Sequence, residues 1–188
     1  MRVFGLAGRR QSDTAELMPR LVAELVARGV RLSAILEMPR DFDIDKPGKD
    51  SFRHRAAGAE EVMLASSHRW ALMHERREGA SPPRLAELLC RITPVDLVLV
   101  AGFSEEPHAR LEVHRSVDGH MPLAHEDASI IAIASDRKLD GLRVPLLDLA
   151  DTAAIADFIL DRCGLETAGA DRPLDSAGGG SGQADLRG

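Results

Sequence analysis

The chain has 188 residues, of which 44% are hydrophobic and 29% are charged, and its formal net charge is -6. That length and composition suit one domain with a real core, and the negative charge argues against a general nucleic-acid binder, which needs a basic surface. The two cysteines, Cys90 and Cys163, are too far apart in sequence to suggest a disulfide framework or a zinc site. The N-terminal apolar run is too short for a signal peptide, and no stretch approaches about 18 consecutive apolar residues. We therefore expect a cytoplasmic protein with no membrane segment.

The first part of the chain predicts a strand, a helix and a second strand. Val3 to Ala7 is a short apolar run, typical of a buried parallel strand. Apolar residues then recur at helical spacing from Leu17 to Val26, and Gly29 supplies a helix stop. Val30 to Leu36 is rich in β-branched and aliphatic residues, as strands are. This order is typical of a parallel α/β sheet.

The loop between the first strand and helix is where a nucleotide-binding α/β protein holds phosphate. The phosphate-loop pattern is Gly, four residues, Gly, Lys and then Ser or Thr. Gly8 opens that spacing, but Asp13, Thr14 and Ala15 fill the three decisive places. The candidate nucleotide-binding positions of this altered loop are therefore Gly8, Ser12, Asp13, Thr14 and Ala15.

Two further features of this loop argue against phosphate. Asp13 and Glu16 have the spacing of a capping box, so their carboxylates are expected to satisfy the N-terminal donors of the helix and to repel an anion. Pro19 removes one backbone hydrogen bond at a cost of about 3 kcal/mol, which predicts a helix that frays or starts late. Arg9 and Arg10 could attract an anion without specificity, yet they supply neither the glycine nest nor a metal ligand.

An acidic segment follows the second strand. Asp41, Asp43 and Asp45 alternate, which on an extended chain places three carboxylates on one face, where oxygen ligands could hold magnesium. The alternative is a solvated loop whose charge is balanced by Lys46 and Lys49. Both interpretations stay open at this point.

The middle of the chain predicts short elements: a helix over 52–59, strands over 61–66 and 69–73, and an amphipathic helix from Leu85 to Ile92. Trp70 is the only tryptophan, and we expect it to pack inside the protein, with an interface or site as the alternative.

The last part begins with the clearest strand, the apolar run over 94–102 that ends at Gly102. The polar residues over 103–108 would then lie at the carboxyl end of that strand, where open α/β sheets bind ligands. Further strands are predicted over 111–115, 130–136 and 144–147, and a closing helix over 155–163. Glycine, serine and charge dominate afterwards, so we predict a domain over 1–165 and a disordered tail over 166–188.

The sequence shows no catalytic constellation. Its seven histidines are scattered, so no metal site is expected, and neither a Gly-x-Ser-x-Gly elbow nor the context of a nucleophilic cysteine is present.

Several segments together resemble the MobB family of molybdopterin-guanine dinucleotide biosynthesis adaptors. These are 1–8, the run over 41–51 that ends in Asp-Lys-Pro-Gly-Lys-Asp-Ser, Arg-Trp-Ala-Leu-Met over 69–73, 94–100 and Ala-Ser-Asp over 134–136. The resemblance covers residues 1–163 and implies an α/β fold, a P-loop NTPase-like three-layer sandwich with a mainly parallel sheet. It also implies a homodimer, GTP and magnesium as ligands, and assistance to the molybdopterin guanylyltransferase. By the same analogy, Asp43, Asp45, Ser135 and Asp136 are possible residual base or metal contacts.

The departures from the family cluster at the nucleotide site. Where MobB proteins carry a loop like Gly-Trp-Ser-Gly-Ser-Gly-Lys-Thr-Thr, this chain has Gln11 and Asp13 for glycines, Thr14 for lysine and Ala15 for the metal-binding hydroxyl. A histidine-rich run is replaced over 36–40, and Ala101 and Ser104 replace an acid and a base.

The residues present therefore support no cofactor, and GTP and magnesium are implied by the resemblance alone. We predict a MobB-like adaptor whose GTP binding and hydrolysis are lost or severely impaired, and the altered loop argues against enzyme activity. The alternatives are a weak GTPase that uses substitute groups such as Arg9, Arg10, Asp43 and Asp136, and a structural dimer with no role in molybdenum chemistry.

Overall fold

The computed structural model describes residues 1–38, 42, 44–76, 79–115, 117 and 119–166. Almost all of the predicted tail lies outside these residues. The chain divides into two compact units. The first comprises Met1–Ile35, Pro94–Ala101 and the described residues from Pro107 onward, and the second comprises Leu36–Thr93 and Gly102–Glu106.

The first unit is built on a six-stranded sheet. Its elements in chain order are β1 (Arg2–Ala7), α1 (Gln11–Ala27), β2 (Leu32–Leu36), β5 (Leu97–Ala101), β6 (Arg110–His114), a 3-10 helix (Leu123–His125), β7 (Ile130–Ser135), β8 (Leu146–Asp148) and α4 (Thr152–Cys163). The strand order is β2-β5-β1-β6-β7-β8, and the pairs from β5 to β8 are parallel. The predicted α/β fold with a mainly parallel sheet is confirmed.

The core of this unit lies between the sheet and the two long helices. Alternate residues of the central strands, such as Phe4, Leu99 and Leu111, pack with α1 and α4 residues such as Leu21 and Ile155. All five of these side chains are fully buried. Because the side chains of a strand alternate between its faces, the residues between them point to the opposite face of the sheet. On β6 those residues are Arg110, Glu112 and His114, and they are buried as well.

Helix α1 begins earlier than the sequence suggested. It starts at Gln11 and continues through Pro19 to Ala27, so the prediction of a late or frayed start is wrong. The buried side chains Leu17, Met18, Leu21 and Leu25 all lie on the face that contacts the core, and this packing outweighs the hydrogen bond that the proline lacks.

The described residues of the second unit form four short elements: α2 (Asp50–Ala56), the antiparallel hairpin of β3 (Glu61–Ala65) and β4 (Trp70–His74), and α3 (Leu85–Leu89). These elements confirm the predicted pattern, although α3 ends three residues before Ile92. Trp70 is 61% exposed, so the expectation that it packs inside is wrong for the described chain.

No helix in the described ranges has both the length and the apolar character needed to cross a bilayer.

Candidate functional site

The loop that follows β1 is closed by a carboxylate. Arg10 is the N-cap of α1, with an extended backbone (φ -121°, ψ 146°). The Arg10 N–H donates to Asp13 Oδ2 at 2.9 Å, and the Arg10 guanidinium lies 3.3 Å from Asp13 Oδ1. Asp13 is only 1% exposed, so its negative charge lies against the positive end of the helix. The position where a phosphate loop has its second glycine thus holds an anion of the protein itself.

The capping interaction differs from the one expected from the sequence. Asp13 occupies the N3 position and caps Arg10, whereas the spacing had suggested that Asp13 and Glu16 form a box with each other. The helix starts one turn earlier than that box requires. Glu16 instead accepts a hydrogen bond from the Arg115 guanidinium at 2.6 Å.

The remaining candidate positions of the loop have local roles. Thr14 is buried and its hydroxyl donates to the Gln11 carbonyl at 3.2 Å, while Ser12 and Ala15 are exposed. A Cβ at Gly8 would lie 2.9 Å from the Asp13 Cβ, so glycine is needed there for the close approach of Asp13. The Arg9 guanidinium donates to the Met121 carbonyl at 2.8 Å. Arg9, which follows Gly8 in sequence, thus already has a protein acceptor.

A second carboxylate binds the backbone just after β5, within the second unit. Glu37 Oε2 accepts the Phe103 N–H at 2.6 Å. Gly102 and Phe103 both have a left-handed backbone (φ 96° and 53°), and a Cβ on Gly102 would lie 2.4 Å from the Glu37 Cβ. The sequence marked 36–40 only as a departure, so this role of Glu37 was missed. In the sequence, the feature that could have indicated this role of Glu37 was an isolated acidic residue directly after an apolar strand.

Asp45 belongs to an ion-pair network of the second unit. Its carboxylate is 7% exposed and lies 2.8 Å from the Arg55 guanidinium, which also contacts Glu75 at 3.1 Å and stacks over Phe52. The hydrogen bond that Arg55 donates to Asp45 is the main reason that the pKa of Arg55 is raised above its usual value. Asp45 thus faces an internal cation in the described structure. Asp43, its predicted neighbour in a cation site, lies outside the described residues.

Ser135 ends β7, and Asp136 follows it. Ser135 is buried, and its hydroxyl accepts the Arg137 N–H at 3.3 Å, which closes the turn after the strand. Asp136 is exposed.

The sequence also gave no site role to the polar face of β6. Glu112 is 1% exposed, and its two carboxylate oxygens accept the N–H groups of Leu123 and Ala124 at 2.9 and 3.0 Å. His114 Nδ1 lies 3.4 Å from the same carboxylate, and His114 Nε2 is buried with no hydrogen-bond partner among the described residues. The alternation over 111–115 predicted a strand with one polar face; because β6 is central in a parallel sheet, that face is buried and its polar groups need partners.

A partly buried charge cluster lies at the other end of β6. Arg110 lies 2.6 Å from Asp127, which also accepts hydrogen bonds from the Ser129 hydroxyl and backbone N–H. Burial by itself raises the pKa of the Asp127 carboxyl, but the bonds from Ser129 and the charge of Arg110 outweigh it and hold that pKa below its usual value.

Comparisons with known proteins agree on one family. The model of the family "Molybdopterin guanine dinucleotide synthesis protein B", MobB, matches residues 3–136. The chain is 38% identical over 157 residues to the molybdopterin-guanine dinucleotide biosynthesis adapter protein of Haemophilus influenzae, covering 84% of this chain and 86% of that protein. It is 40% identical over 148 residues to the adapter protein of the same name from Escherichia coli, covering 77% and 83%.

Solved structures give the same fold. A MobB protein homologue from Bacillus stearothermophilus superposes with a TM-score of 0.65 at 25% identity, covering 87% of this chain and 99% of that one. Bacillus subtilis MobB superposes with a TM-score of 0.67 at 20% identity, covering 89% and 100%.

Proposed function

The chain belongs to the MobB family, and we propose that it acts as an adapter in molybdopterin-guanine dinucleotide synthesis without binding GTP productively. The adapter role follows from the family match and from the adapter proteins of the two bacteria, each of which is aligned over more than four fifths of its length. The loss of GTP binding is our inference from the site.

One observation supports that inference: the Asp13 carboxylate lies at the N-terminus of α1, which is where a phosphate loop would hold its phosphate. Its carboxylate is bonded to the Arg10 N–H and guanidinium, so the N-terminus of α1 is already matched with a negative charge. A phosphate would have to displace this buried carboxylate or lie beside it. It would find no lysine at position 14 and no magnesium-binding hydroxyl at position 15.

The alternative, a weak GTPase with substitute groups, has less support. Its two proposed cations are already engaged, since Arg9 donates to a carbonyl and Arg10 contacts Asp13. Replacing Arg10 by alanine should lower a GTPase rate if this alternative holds, and a wild-type rate no higher than a buffer blank would end it.

The decisive experiment is a calorimetric titration with GTP and magnesium at micromolar concentrations. We expect no saturable binding by the wild-type chain. The triple variant Asp13→Gly, Thr14→Lys, Ala15→Thr restores the glycine, cation and hydroxyl of the phosphate-loop pattern and should gain measurable affinity. The single variant Thr14→Lys is the matched control, because it adds the cation while Asp13 stays in place. Saturable wild-type binding that GDP competes away would overturn the proposal.

We also propose that the protein is a homodimer, and the hairpin of β3 and β4 offers the support. Cross-strand partners point to the same face of a hairpin, so Met63, Ala65, Trp70 and Leu72 share one face, here called the hairpin outer face. Met63 is 60% exposed and Trp70 is 61% exposed; on the opposite face Val62 is buried and Leu64 is exposed. Contiguous exposed apolar side chains of this kind mark interaction surfaces.

The variant Met63→Ser, Leu72→Ser tests this assignment in sedimentation-velocity experiments. We expect it to shift a dimer toward monomer, while Leu64→Ser, on the opposite face of the same hairpin, leaves the dimer unchanged. A dimer that survives the outer-face variant would contradict the assignment. The guanylyltransferase is the expected partner of the adapter, and capture of the purified enzyme by the immobilised chain checks that step separately. The cytoplasmic setting expected from the sequence stays a prediction.

A further inference from the structure

The segment that joins β6 to β7 is tied to the altered loop by contacts between residues far apart in sequence. We call residues 119–127, which include the 3-10 helix Leu123–His125, the crossover turn. Arg9, 112 residues away, donates to the Met121 carbonyl at 2.8 Å. The Arg115 guanidinium, just before the crossover turn, donates to Glu16 in the first turns of α1 at 2.6 Å.

The crossover turn is held from the inside by Glu112. Both oxygens of this carboxylate accept backbone N–H groups at the start of the 3-10 helix, at 2.9 and 3.0 Å. The carboxylate is 1% exposed, and a hydrogen bond to a buried charged group is stronger than one between neutral groups. Glu112 therefore fixes the position of the crossover turn relative to β6.

The sheet register places this anchor beside the loop. Glu112 of β6 is paired with Ala7, the last residue of β1, and Gly8 follows directly. The contacts thus form a closed path from Ala7 through Arg9 and Met121 to the start of the 3-10 helix, and from there through Glu112 back to Ala7.

We propose that the crossover turn is a built-in strap that keeps the loop over 8–10 and the first turns of α1 ordered with no ligand bound. In this arrangement the Arg9 guanidinium donates to the Met121 carbonyl, and the Arg10 N–H donates to the Asp13 carboxylate. These two protein acceptors take the place that phosphate oxygens would have in a nucleotide-binding loop. The strap rests on the proposed function only in that the loop holds no nucleotide. It accounts for an ordered loop in a chain whose phosphate-binding residues are replaced.

Hydrogen exchange of the full chain without nucleotide tests the strap. The measured region is a peptide that covers the Arg10 and Asp13 amides, which donate to Asp13 and to the Arg10 carbonyl in the closed loop. Arg9→Ala removes the contact to Met121, and we expect these amides to exchange about five- to tenfold faster because one hydrogen bond to the loop is lost. Glu112→Gln replaces one of the two carboxylate oxygens by an amide donor that faces a backbone N–H, and it should give at least the same increase.

The controls separate the strap from general destabilisation. Arg143→Ala removes an exposed arginine from another loop and should leave the exchange of residues 8–13 unchanged. Peptides from β7 should stay protected in every variant used. If Glu112→Gln fails to fold, Arg9→Ala alone decides, since Arg9 is exposed.

Exchange at residues 8–13 that stays within about twofold of wild type in Arg9→Ala would overturn the strap. The titration described above is scored independently: nucleotide binding by the wild-type chain overturns the proposed function, whereas unchanged exchange in the ligand-free variant overturns the strap.

Discussion

The closure of the loop by Asp13 makes a quantitative prediction for Asp13→Ala. The substitution removes the acceptor of the Arg10 N–H, and loss of such a capping bond costs about 0.5–2 kcal/mol. It also removes the acid from the first turn of α1, which contributes about 0.3–1 kcal/mol through the helix dipole. The ion pair with the half-exposed Arg10 adds little. We therefore expect a loss of about 1–3 kcal/mol in the free energy of unfolding.

Urea unfolding followed by circular dichroism at pH 7 measures this loss. With a slope of about 2 kcal/mol/M, the midpoint should fall by roughly 0.5–1.5 M. Asp151→Ala is the matched control, because Asp151 is the N-cap of α4 and its carboxylate accepts the Ala154 N–H at 2.9 Å in an exposed setting. It should cost about 0.5–2 kcal/mol. Asp13→Asn keeps an acceptor without the charge and should fall between wild type and alanine. An Asp13→Ala midpoint that matches wild type while the Asp151→Ala midpoint falls would refute the capping role.

Three further predictions concern residues away from the altered loop. Gly5→Ala should destabilise by about 1–3 kcal/mol, because the new Cβ would lie 2.6 Å from the Arg110 Cγ, and a urea midpoint equal to that of wild type would contradict this packing argument. Folding lowers the pKa of Asp127, so the stabilising effect of its carboxylate is present above the unfolded pKa and is lost as the pH falls through the folded pKa. The difference in free energy of unfolding between wild type and Asp127→Asn should therefore shrink below about pH 5. A difference that grows on acidification would show that folding raises this pKa instead. Cys90 is exposed, whereas Cys163 is buried and burial raises the pKa of its thiol. A thiol reagent should therefore label Cys90 quickly in the native chain and Cys163 only on unfolding. Rapid labelling of the native Cys90→Ser variant would contradict this, because it would show that Cys163 is accessible.

The sequence predicted the sheet well because buried parallel strands leave a strong signal. The apolar runs over 3–7, 94–102 and 130–136 correspond to β1, β5 and β7, and the glycines at 29 and 58 lie just after helices, with positive φ. These patterns are formed by residues close together in the sequence, so one sequence is enough to recognise them.

The contacts of the site were harder to predict because they join residues far apart. The N–H groups that bind Glu112 lie more than ten residues later in the chain, and Glu37 contacts a backbone group 66 residues away. The early start of α1 depended on core packing that outweighs Pro19, so a local propensity argument gave the wrong helix start and the wrong capping pair. Trp70 was misplaced for a similar reason, since composition alone does not reveal that the hairpin has an exposed apolar face.

The hairpin also has a consequence for the protein's behaviour at high concentration. β3 and β4 form a sheet of two strands, so each has one edge whose backbone groups are unmatched by a third strand of that sheet. Combined with the hairpin outer face, this edge makes an uncovered hairpin prone to aggregate, whereas in the proposed dimer a covered hairpin is protected. Solubility and assembly are then linked by mass action, so a variant that weakens self-association is expected to precipitate sooner on concentration even when its own fold is intact.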